Sequence, residues 1–118
     1  DHFTQKYFFP LNGCFKAMAR DFDNDGNLDI ASIAFFTDPK KKEEGFVYLH
    51  NKGGLVFQPY TFPEAALGHW LTMDVNDLDG DGKPDIILGN FNFSVPGNKD
   101  TLNVKTPSFL LLKNRTNR

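Results

Sequence analysis

Cysteine is almost missing from this chain. Cys14 stands alone among 118 residues, which excludes an internal disulfide framework and a cysteine-based zinc site. Long apolar runs are missing too. No stretch approaches the roughly 18 residues that a membrane-spanning helix needs, and no basic-then-apolar leader opens the chain. The first residue is Asp1 rather than Met, so a preceding segment is expected to have been removed. The three histidines, His2, His50 and His69, are scattered without paired spacing, so neither a zinc site nor a general base stands out. No Ser–His–Asp order, nucleophile elbow or phosphate-binding glycine loop occurs, and the reading is non-enzymatic. Bases are dispersed without interleaved aromatics, which argues against nucleic acid as a partner. A helical period of 3.6 is also absent; PEAALGHW (63–70) suffices for one turn at most.

Phenylalanine, by contrast, is abundant, with 13 residues, far above what a solvated coil carries. Charge is nearly balanced, at 13 basic against 15 acidic residues, but it is not evenly spread. Asp21, Asp23, Asp25 and Asp29 fall in one nine-residue stretch, and Asp77, Asp79, Asp81 and Asp85 in another. Acid focused at a fixed spacing is a metal signal before it is a solubility signal.

The two stretches head an internal repeat. At an offset of 56, DFDNDGNLD lies on DLDGDGKPD, CFKAMAR (14–20) on WLTMDVN (70–76), and LDIASIAFF (28–36) on PDIILGNFN (84–92). Small loop insertions change the offset elsewhere: FVYLHNK (46–52) lies on FLLLKNR (109–115), and QKYFFP (5–10) on QPYTFP (58–63). Phe15, Ala17 and Ala19, like Leu71, Met73 and Val75, alternate with polar neighbours and predict strands with one apolar face. The runs after each acidic loop suit strands buried on both faces. The aromatic segments ending at Pro10 and Pro63 suit outer, edge-like strands. With the types named D, A, B and C, the chain predicts an all-β order D-A-B-C-D-A-B-C. Repeat 1 spans 1–54 and repeat 2 spans 55–118. Four-stranded antiparallel repeats of this size are expected of β-propeller blades, here about two.

Each acidic loop reads D-x-D-x-D-G-x-x-D. Carboxylates at positions 1, 3 and 5 turn toward one centre, and Gly26 or Gly82 permits the reversal. Position 7, Asn27 or Lys83, offers its backbone carbonyl, and position 9, Asp29 or Asp85, closes the shell. The candidate metal ligands are therefore Asp21, Asp23, Asp25, Asn27 and Asp29 in one loop, and Asp77, Asp79, Asp81, Lys83 and Asp85 in the other. All are hard oxygen donors, which favours Ca²⁺, about two ions in total, over Mg²⁺, zinc or copper. An EF-hand is excluded, because position 12 is Ser32 or Leu88 rather than glutamate and the flanks read as strands.

These two loops, each between an alternating strand and an apolar one, resemble the FG-GAP/VCBS repeats of integrin-α-type β-propellers and of many secreted bacterial proteins, the bacterial type more than the integrin. The resemblance covers nearly the whole chain. It implies calcium in the A–B loops through the residues just named, with a structural role in stiffening the hairpin. It also implies a secreted, periplasmic or cell-surface setting and an adhesion or protein-interaction role. Other expected readings are a carbohydrate-binding propeller, with Trp70 as a stacking platform or as core, and a segment of a polysaccharide-active enzyme.

Strand alternation places the B–C loops (37–45 and 93–108) and D–A loops (10–14 and 63–69) opposite the acidic loops. That edge is the expected seat of a protein or glycan ligand. The run Lys40, Lys41, Lys42, Glu43, Glu44 reads as a solvated face. Two blades cannot close a propeller, so the edge strands are expected to pair with further blades or with other copies. Asn92 and Asn114 begin glycosylation sequons.

Overall fold

The computed structural model describes residues 2–91 and 107–116. The strands are β1 (Cys14–Arg20), β2 (Asp29–Ala34), β3 (Phe46–Asn51), β4 (Phe57–Tyr60), β5 (Trp70–Asn76), β6 (Asp85–Asn90) and β7 (Phe109–Leu112). Two short 3₁₀ turns, Lys42–Gly45 and Pro63–Leu67, are the only helical elements among the described residues. Among the described residues no helix is long and apolar enough to cross a membrane.

The strands form two antiparallel sheets, one ordered β1-β2-β3-β4 and one ordered β5-β6-β7. The predicted strands A, B, C and the D that follows them therefore form the first sheet, and the next A, B and C form the second. β4 comes from the segment that opens repeat 2, yet it completes the first sheet. It is an edge strand and carries Pro59, which lacks a ladder donor and is tolerated there.

The expected strand over 3–9 does not form, which corrects the eight-strand reading to seven among the described residues. A strand needs a neighbour for its backbone groups, and residues 3–9 join neither sheet. Tyr7 instead packs its ring on Phe57, at 4.7 Å between centroids.

The core lies between the sheets. Ala31, Ile33 and Phe46 of the first sheet meet Trp70, Met73, Ile86 and Leu88 of the second, with Phe22 and Ala65 at the ends. Trp70 is fully buried and donates its indole N–H to the Ala65 carbonyl at 2.9 Å. It is core, and the stacking-platform reading falls. The loop turns Lys42–Gly45 and Pro63–Leu67 pack on each other at the end away from the acidic loops.

Alternation identified the side chains that share a face, but not which face is covered over β1. Met73 is buried and Val75 half-buried, whereas their counterparts Ala17 and Ala19 are exposed, as is Phe15. The first sheet turns its other face to the second. Met18 packs there, and Lys16 reaches across to donate to the Met73 carbonyl at 3.1 Å. Both β1 and β5 carry a register irregularity near their start, between Cys14 and Lys16 and between Trp70 and Thr72.

Candidate metal centres

Loops 21–29 and 77–85 each join the first two strands of a sheet, and they are built alike. Asp21 accepts from the backbone N–H groups of Asp25 (3.2 Å) and Gly26 (2.9 Å). Asp77 accepts from Gly80 (2.9 Å), Asp81 (3.1 Å) and Gly82 (2.7 Å). The first carboxylate of each loop therefore shapes the turn. Asp25 accepts from Asn27 N–H and Asp81 from Lys83 N–H, both at 2.9 Å. The backbone is left-handed at position 4 (Asn24, φ 58°; Gly80, φ 78°) and at position 6 (Gly26, φ 91°; Gly82, φ 84°). Asn and Gly are the residues that accept that conformation most readily.

Position 9 is the anchor. Asp29 and Asp85 are buried. Asp29 accepts from Phe22 N–H (3.2 Å) and Asn51 N–H (2.8 Å), and Asp85 from Leu78 N–H (3.0 Å) and Asn114 N–H (2.8 Å). Asn51 and Asn114 repeat one another further. The Asn51 amide donates to the Leu28 carbonyl and that of Asn114 to the Pro84 carbonyl, both at 3.0 Å. Their side-chain oxygens accept from Gly53 N–H and Thr116 N–H. Asn114 also donates to the Phe22 carbonyl at 2.6 Å, tying the end of the second sheet to the first acidic loop.

Oxygens of Asp21, Asp23 and Asp29 converge within 4.8 Å of one another, and so do those of Asp77, Asp79, Asp81 and Asp85. Asp23, Asp25 and His50 form an overlapping group on the same terms. Asn27 and Lys83 occupy position 7, and the Lys83 ammonium turns aside to the Thr116 carbonyl. One buried carboxylate oxygen, Asp23 Oδ1, has no hydrogen-bond partner. Burial first, then the charges of Asp29 and Asp25, raises Asp23 above the usual carboxylate range, with His50 opposing. An orphaned carboxylate oxygen among other acids is the arrangement that a hard cation satisfies, so the donor set fits calcium. Asp25 moves the other way, chiefly through the Asn27 N–H it accepts.

The loops differ in their surroundings. Phe22 at position 2 is buried edge-on against Tyr48, at 5.7 Å between centroids, whereas its counterpart Leu78 is 50% exposed. Loop 21–29 is pinned to the core by Phe22, whereas loop 77–85 has no such anchor at position 2.

Four residues near the loops are absent from the candidates drawn from sequence: His50, Asn51, Lys113 and Asn114. His50 Nδ1 lies 3.4 Å from Asp23 and 3.3 Å from Asp29. Lys113 binds Asp79, and Asp81 at 2.8 Å. The signal was present, since aligning 46–52 on 109–115 sets His50 on Lys113 and Asn51 on Asn114.

A family model for the FG-GAP-like repeat matches residues 21–88, from the first acidic loop into β6. The chain belongs to this FG-GAP-like family. The match holds both acidic loops and four complete strands, β2 to β5. No solved structure matches the chain.

The sequon at Asn114 is committed to the FG-GAP-like fold through three amide and carbonyl partners. That at Asn92, and loop 93–108 up to residue 106, lie outside the described residues.

Proposed function

We propose that this FG-GAP-like chain is a calcium-stiffened segment of a β-propeller that serves as a protein-interaction or adhesion module of a secreted or cell-surface protein. The observation that carries the calcium reading is the buried, unpartnered Asp23 oxygen within a cluster of carboxylates. Asp21, Asp23, Asp25 and Asp29, with the Asn27 carbonyl, would hold one ion. Asp77, Asp79, Asp81 and Asp85, with the Lys83 carbonyl, would hold the other. A bound Ca²⁺ supplies fixed positive charge to the hairpin. The residues do the rest, because Asp21, Asp29, Asp77 and Asp85 set the loop path through backbone N–H groups. The role is structural, and no catalytic step is assigned to it. An adhesive role places the partner on the edge opposite the loops, around Lys42–Gly45 and Pro63–Leu67. Burial of Trp70 removes the aromatic platform on which a glycan reading rested, so the partner is taken to be a protein.

Isothermal titration of the EDTA-stripped chain tests the reading. The expected result is about two calcium sites, one lost on Asp25→Ala and the other on Asp81→Ala. Absence of calcium binding at millimolar ion would overturn it.

A further inference from the structure

The two loops differ in the side chain that their sheet's third strand presents. At equivalent positions stand His50 in the first sheet and Lys113 just beyond β7 in the second. His50 leaves Asp23 Oδ1 without a partner. Lys113 does the reverse, since its ammonium bridges Asp79 and Asp81 through their Oδ2 atoms, which accept no backbone N–H.

We propose that Lys113 is a tethered cation for loop 77–85, which holds Asp79 and Asp81 together without metal and must leave before calcium binds, making this the weaker of the two calcium sites. The inference rests on the calcium reading above and adds its regulation. An ammonium and a calcium ion cannot share the same carboxylate oxygens without strong repulsion. Lys113 donates to both acids and so occupies the oxygens that a cation would take. The same contact gives the loop a purpose-built counterion where calcium is scarce, which keeps it folded before metal arrives. Loop 21–29 has no lysine partner of this kind among the described residues.

The test uses the full chain with loop 21–29 disabled by Asp23→Asn and Asp25→Asn, so that titration reads loop 77–85 alone. Lys113→Met is expected to tighten calcium binding about three- to tenfold, the range of two exposed charge pairs. Lys113→Arg, which keeps the charge, is expected to shift it less than about twofold. Calcium binding by loop 77–85 that Lys113→Met leaves unchanged or weakens overturns the tethered-cation proposal alone. Loss of calcium binding by both loops in the unaltered chain overturns the calcium reading itself. A measurement on the unaltered chain covers the case in which Lys113→Met does not fold. Acylation of lysines by an amine-reactive ester, read by mass spectrometry, is expected to be slow at Lys113 in EDTA and several-fold faster in calcium. Equal rates at Lys113 in the two conditions overturn the proposal.

Discussion

Asn51 gives its backbone N–H to Asp29 and its side-chain amide to the Leu28 carbonyl, while its own oxygen takes Gly53 N–H. It is buried, so truncation leaves polar groups without partners, at about 1–3 kcal/mol. Asn51→Ala is expected to lower stability by that amount in urea denaturation, and Asn114→Ala by at least as much, because it also releases the Phe22 carbonyl. Gly82 has a positive φ and open space where a Cβ would stand, so only backbone strain opposes a side chain. Gly82→Ala is expected to cost about 1 kcal/mol in the same measurement and Gly82→Asn less. The acids, the turn glycines and their spacing are all legible in the sequence, because they belong to one contiguous stretch. The asparagines, His50 and Lys113 are not read from the loops themselves, because they arrive from the third strand of each sheet or just past it, 21 to 34 residues beyond the acids they touch. Only the pairing of strands brings them in.

Among the elements, the seven strands were legible because apolar runs and period-two alternation report burial directly. The strand that failed, over 3–9, has the composition of its repeat partner β4 but no third strand to lie on. Composition specifies what a segment is fit for, and pairing decides whether it forms. Facing was the other quantity hidden from the sequence. β1 and β5 have similar patterns, yet Met18 packs inward in one and Met73 in the other. Burial at position 2 of the acidic loops follows the same logic. Phe22→Ala is expected to cost about 3–5 kcal/mol, through a cavity beside Tyr48. Leu78→Ala is expected to stay within about 0.5 kcal/mol. Paired denaturation curves check the contrast, and equal losses would show that Phe22 does not pin the first loop to the core.

For the molecule as a whole, the second sheet leaves one face and one edge uncovered among the described residues. Phe109 and Leu111 are 61% and 53% exposed on β7, the outermost strand of that sheet. An apolar strand edge of this kind is a template for association. Leu111→Lys is expected to lower concentration-dependent light scattering while leaving the melting temperature within a few degrees of the unaltered chain. The proposed calcium would act at the same scale. With each site stabilising by about 2.7 kcal/mol at a hundredfold excess over Kd, the melting temperature is expected to rise by roughly 10 °C or more from EDTA to saturating calcium. Differential scanning calorimetry checks it, and a melt indifferent to the ion would exclude a structural role.

The register irregularity shared by β1 and β5 has a bearing of another kind. It falls between Cys14 and Lys16 in one strand and between Trp70 and Thr72 in the other, the same place in each unit. Selection for metal ligands has no reason to install a bulge at the far end of the strand from the carboxylates. Two loops that had converged separately on the same acidic spacing would not be expected to share it. A shared irregularity at that place is what copying of a whole folded unit, rather than of a loop alone, would leave behind.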